Sequence, residues 1–123
     1  MLEATSVLWI DQEKMVRGTL ATMLNDPSFQ VHFFEQSKSA EAIQAVQDEL
    51  RYHIAVVGMT IPELQETDTE AVIVALKKAH SDVPVYVYSI DAEISSPQAD
   101  GRISRMRVLL GEELKYLLSQ KGN

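Results

Sequence analysis

The sequence predicts an alternating α/β chain, with a five-stranded parallel sheet sandwiched between two layers of helices. Two observations carry this. Short continuous apolar runs, the mark of strands covered on both faces, alternate with stretches of helical periodicity. Strict alternation of strand and helix then implies right-handed crossovers and parallel neighbours. At 123 residues and 46% hydrophobic, residues 1–123 are expected to form one domain that buries a core without disulfides or a metal.

Val7-Leu8-Trp9-Ile10 opens the series as a buried strand. Val16, Leu20, Met23 and Leu24 recur at helical spacing, and Asn25-Asp26-Pro27 stops that helix. Val31-His32-Phe33-Phe34 gives the second strand, and Ile43, Val46 and Leu50 form the stripe of a second helix with Ser39 as its cap. Ile54-Ala55-Val56-Val57, closed by Gly58, is the third strand. Thr67 and Glu70 have the capping-box spacing ahead of Val72, Ala75, Leu76 and Ala79. Val83 to Tyr88 is β-branched and aromatic, hence a fourth strand. Ile90 to Met106 is the weak stretch: Ser95-Ser96-Pro97 breaks helix, and Ile103-Ser104-Arg105-Met106 is a poor fifth strand. Leu110, Leu114, Leu117 and Leu118 define the last helix. Trp9, Phe33 and Phe34 are expected in the core.

Charge and composition remove several functions. A formal charge of −7 opposes phosphate-backbone binding, so no nucleic acid partner is expected. No apolar stretch approaches the roughly 20 residues of a membrane helix. The amino terminus lacks the basic and apolar regions of a signal peptide, and the absence of cysteine fits a reducing compartment. A cytoplasmic domain without membrane contact is the expectation. His32, His53 and His80 have no ligand-like spacing, so neither a metal nor a cofactor is expected.

Tyr52–Pro62 resembles the third strand and following loop of a response-regulator receiver domain, and the resemblance extends over nearly the whole chain. It implies the flavodoxin-like, CheY-like sandwich with strand order 2-1-3-4-5. In that family the third strand ends in the aspartate that accepts a phosphoryl group, with a proline at the spacing of Pro62. Here Gly58 stands at the acceptor position and offers no side chain. Asp11 matches the first of the two acids after the first strand, and Gln12 falls where the second should stand. Ser89 keeps the hydroxyl of the threonine-or-serine position. Arg107 aligns with the lysine after the fifth strand, preserving charge but not shape. The glycine after the proline is also missing. The chain therefore looks like a degenerate receiver, a pseudo-receiver, with a fourth helix that is short or irregular.

Each of these residues also has a plainer reading. Asp11 serves equally as a cap of the first helix. Gly58 serves as a turn residue. Ser89 is a strand-end hydroxyl. Glu112 and Glu113 suit the first turn of the last helix.

Three functions follow. The first is a phosphorylation-independent domain in a two-component-type pathway, free or as the input domain of a larger protein. It would act by protein contact, with self-association through Tyr86, Tyr88, Leu110 and Tyr116, which a shortened fourth helix would leave exposed. The second is a small-molecule module that binds a nucleotide-like ligand in the vacated crevice, although no glycine-rich phosphate loop is present. The third, an enzyme, is disfavoured because no histidine or cysteine lies near the strand ends to build a nucleophile–base set.

Overall fold

Each apolar run alternates its side chains between two helix layers, which explains why the strands carry no polar face. A computed structural model describes residues 4–58, 62–89, 98–104 and 110–121, with the side chains of residues 15, 62–69, 104 and 121 left aside. The elements are β1 (Thr5–Asp11), α1 (Glu13–Leu24), β2 (Phe29–Glu35), a 3-10 turn (Gln36–Lys38), α2 (Ser39–Gln47), β3 (Ile54–Gly58), α3 (Pro62–Ala79), β4 (Val85–Ser89), β5 (Gly101–Ser104) and α4 (Leu110–Lys121). The five strands form one sheet in the order β2-β1-β3-β4-β5, every pair parallel. This is the predicted flavodoxin-like arrangement.

Leu8, Ile10, Ala55, Val57, Val85 and Val87 face Ala42 and Val46 of α2 and Val72, Ile73 and Leu76 of α3. Val7, Trp9, Ile54, Val56, Tyr88 and Ile103 face Val16, Leu20 and Met23 of α1 and Leu110 and Leu114 of α4. Phe33 and Phe34, on the edge strand β2, are half-buried and pack against one cluster each. Trp9 is the hub of the second cluster. Its ring meets Phe33 at 5.8 Å and Tyr88 at 6.0 Å, both edge to face, contacts worth roughly 0.5–1.5 kcal/mol each beyond burial.

Local chemistry fixes the connections. After α1, the Asp26 carboxylate accepts the Ser28 N–H at 2.8 Å. That bond holds its carboxyl below the usual range, with Lys115 at 3.6 Å contributing. After α2, the chain turns through Glu49 in the left-handed region (φ 75°), and the Leu50 N–H reaches back to the Ala45 carbonyl at 3.0 Å. Before β4, Asp100 accepts from Lys77 at 2.9 Å and from the Val85 N–H at 2.8 Å, tying the start of β5 to the end of α3.

Three expectations change. Helix α3 begins at Pro62, so Thr67 lies inside it rather than capping it; proline's fixed φ suits a first turn. Ser39 is the first residue of α2, not its cap, because the 3-10 turn leads directly into the helix. Strand β5 begins two residues earlier than expected, pairing Gly101–Ser104 with Tyr86–Ser89. A bare Gly101 there accepts the Tyr86 ring, which lies 3.0 Å from where a Cβ would stand. The segment expected to hold the shortened fourth helix, residues 90–97, lies outside the described residues. No helix among the described residues is long and apolar enough to cross a membrane.

Tyr52 at the foot of β3 is 7% exposed, and its hydroxyl has no hydrogen-bond partner among the described residues. Burial pushes that hydroxyl up to about 12. The folded chain thus holds the proton more tightly than the unfolded chain. Tyr52's contribution to stability is complete below about pH 10 and is lost as pH rises toward about 12. Urea titrations should show stability falling across that window in the native protein and a shallower fall in Tyr52→Phe. At neutral pH Tyr52→Phe should match or exceed the native protein, since it deletes an unsatisfied buried group.

Candidate functional site at the carboxyl ends of the strands

Strand order reverses between β1 and β3, and ligand crevices of open α/β sheets lie beyond the strand ends at such a point. Asp11 closes β1, Gly58 closes β3 and Ser89 closes β4, all three wholly or nearly wholly buried. Asp11 stands one residue beyond the Ile10–Val57 pair, so the register sets it beside Gly58.

The Asp11 side chain, 0% exposed, lies over the Gly58 backbone. A Cβ at position 58 would overlap the Asp11 Cγ and both carboxylate oxygens. Gly58 has no positive φ; what demands glycine is the carboxylate packed against it, not a turn. Asp11 Oδ1 accepts the Gln12 N–H at 2.7 Å, and Oδ2 accepts the Trp9 indole N–H at 3.3 Å. A buried carboxylate needs such donors, since burial without them is costly.

Asp11 is therefore not the cap of α1. Gln12 occupies the N-cap position without a side-chain cap bond, and the Glu13 N–H donates instead to Glu35 Oε2 at 2.9 Å. Ser89 is 0% exposed, and its carbonyl accepts from Arg102 Nη1 at 3.2 Å. Arg107 lies outside the described residues. The β5 residue opposite Ser89 is Ser104, so the described cation near this strand end is Arg102, which sequence reasoning passed over.

The receiver resemblance implies Mg²⁺ in this crevice, and the donor set does not fit it. Magnesium is usually held by one or two carboxylates together with substrate phosphates and waters. Position 58 supplies none, Gln12 supplies an amide in place of a carboxylate, and both Asp11 oxygens already accept N–H bonds. Among the described residues, no group of three or more His, Cys, Asp or Glu side chains is placed to hold a metal.

Of the expected contact surface, Tyr116 on α4 is 58% exposed, and Tyr86 is half-buried against Gly101. Tyr88 and Leu110 correct the expectation: at 3% and 1% exposure they belong to the core around Trp9. The period of two sets Tyr88 on the face that α4 covers, and Leu110 begins the covering helix.

Sequence reasoning also missed a cleft of about 600 Å³ beside the crevice, between the 3-10 turn, α2 and α3. It took Trp9 for core alone. The spacing of Trp9 and Asp11, two apart on one strand face, was the available sign of their bond.

No protein-family model matches the chain, and no curated protein matches it. Solved structures do. The chain is similar to a response regulator receiver protein from Sinorhizobium medicae WSM419, with 20% identity and a TM-score of 0.69 over 98% of this chain and 95% of that one. It is similar to the N-terminal domain of a response regulator/sensory box/GGDEF 3-domain protein from Carboxydothermus hydrogenoformans, at 16% identity and TM-score 0.67, covering 94% and 92%. It is also similar to the response regulator domain of Thermotoga maritima CheB, at 17% identity and TM-score 0.60, covering 96% and 92%.

A double-mutant cycle tests the packing of Asp11 on Gly58. Gly58→Ala should lower stability by about 1–3 kcal/mol, the usual cost of overpacking, even though its φ suits alanine. In an Asp11→Ala background the same change should cost under about 0.5 kcal/mol. Additive costs in urea unfolding would show that the two residues do not compete for space. The similarity to solved structures establishes the receiver-type, flavodoxin-like fold for this chain.

Proposed function

We propose that the chain is a receiver-fold signalling domain that works by protein–protein contact, without phosphorylation and without an enzymatic activity of its own. It belongs to a two-component-type pathway in the cytoplasm. One observation carries this reading: the Asp11 carboxylate lies where an acceptor side chain at position 58 would stand. Among the described residues, the site lacks the acceptor, the space for one and the ligands for the cation that phosphoryl transfer needs.

Incubation with acetyl phosphate and Mg²⁺ should leave the intact mass unchanged. An acid-labile addition mapped to Asp11 would overturn the reading. Gly58→Asp should also fail to label and should be destabilised, because the new side chain meets Asp11. The lack of positive φ at Gly58 does not rescue it. Gln12→Asp combined with Gly58→Asp should label only as far as Asp11 can turn away.

The contact surface is the face of β4, β5 and α4, with exposed Tyr116 on α4 and half-buried Tyr86 on β4. The partner is a second copy of the chain, joined about a two-fold axis. In sedimentation velocity, Tyr116→Glu should shift the protein toward monomer and Asp11→Ala should not. A strict monomer at high concentration would contradict self-association.

The cleft of about 600 Å³ favours a second reading, a small-molecule module. The vacated crevice itself does not: Asp11 fills it above Gly58. The opening beside it lies between the 3-10 turn, α2 and α3.

A further inference from the structure

We propose that the cleft between α2 and α3 binds a neutral, flat heteroaromatic ring, presented as a nucleoside rather than a nucleotide. This rests on the second reading, that of a small-molecule module, and gives it a location and a ligand class.

The cleft's volume of about 600 Å³ falls within the roughly 300–1,000 Å³ of ordinary small-molecule sites. It lies at the carboxyl ends of β1 and β3, where strand order reverses. It shares Gln12 with the degenerate phosphorylation pocket, but neither Asp11, Gly58 nor Ser89 lines it.

Its apolar lining is Ile10 and Val57 from the sheet, Ile43 from α2 and Val72 from α3, which pack together at its base. A continuous apolar base of this kind rewards a flat apolar body laid on it. The polar part is equally specific in kind. Gln12 and Gln36 bring amides, and Ser37 and Ser39 bring hydroxyls. Amides and hydroxyls both donate and accept, which suits a ring edge where donors and acceptors alternate, as on a nucleobase.

Charge decides against phosphate. Among the described residues, the cleft is lined by one cation, Lys14, and one anion, Glu35, which together offer no net attraction. Phosphate sites gather several charge-assisted donors, and a chain of charge −7 repels polyanions at long range. A sugar hydroxyl placed toward the solvent satisfies the rim; a phosphate there meets Glu35.

The test is an amide NMR titration of the full chain with adenosine, guanosine, their 5′-monophosphates and, as an aliphatic probe, hexanol. Adenosine or guanosine at millimolar concentration should move the amide signals of Ile43, Val57 and Val72, and the matching monophosphate should bind at least about threefold more weakly. Ala40 lines the cleft from an exposed position on α2. Ala40→Trp should weaken nucleoside binding at least about tenfold while leaving circular dichroism and thermal unfolding intact. Monophosphates binding more tightly than nucleosides would overturn the exclusion of phosphate. Hexanol binding alone at these signals would overturn the heteroaromatic class but keep the small-molecule reading. No response to any probe would overturn both.

Discussion

The Asp11 carboxylate and the bare backbone of Gly58 occupy one volume between them, and much of the molecule is arranged around that fact. A buried carboxylate is tolerated only with donors at hand. One donor is the Gln12 N–H, at the step from β1 into α1; the other is the indole of Trp9. Trp9 in turn packs edge to face with Phe33 and Tyr88 and anchors the layer of α1 and α4. Glycine at position 58 thus lets Asp11 lie flat, Asp11 satisfies the indole, and the indole's position sets the packing of one whole face. At the carboxyl ends of β1 and β3 the central volume is held by a structural contact.

The two faces of the sheet differ in consequence. On the side of α1 and α4, the Trp9 ring packs edge to face with Phe33 and Tyr88, and Lys115 reaches across to Asp26 and over the Phe29 ring. On the side of α2 and α3, packing near the strand ends is incomplete and leaves the cleft. The face of α1 and α4 carries exposed Tyr116 and suits a protein contact. The face of α2 and α3 suits a small ligand. Both uses fit a receiver-type fold whose central pocket has been filled from within, since a fold fixes where sites lie and not what they do.

The fold was legible because its signal is redundant. The apolar runs carry residues for two cores, and no choice of inward face arises in a run such as Ile54-Ala55-Val56-Val57, which is buried on both sides. Gly58 was legible as a departure from a pattern, and Asp11 as a match to it. Their mutual contact was not, because it depends on a rotamer and on the register of two strands distant in sequence. Tyr88 and Leu110 were misplaced for a similar reason: apolar residues flanking a weak segment look exposed until the covering helix is positioned. Thr67 shows that a cap spacing loses to proline, whose fixed φ lets α3 start upstream at Pro62. The cleft left no trace in the sequence, since it is a property of how far two helices stand apart.

The central claim is a position, and a crystal structure of the native chain at a resolution that places both Asp11 oxygens measures it most directly. The expected result is the carboxyl carbon over Gly58, with Oδ1 on the Gln12 N–H and Oδ2 within hydrogen-bond reach of the Trp9 indole nitrogen. A carboxylate turned outward, with open space or water above Gly58, would contradict it and return the crevice to use as a binding site.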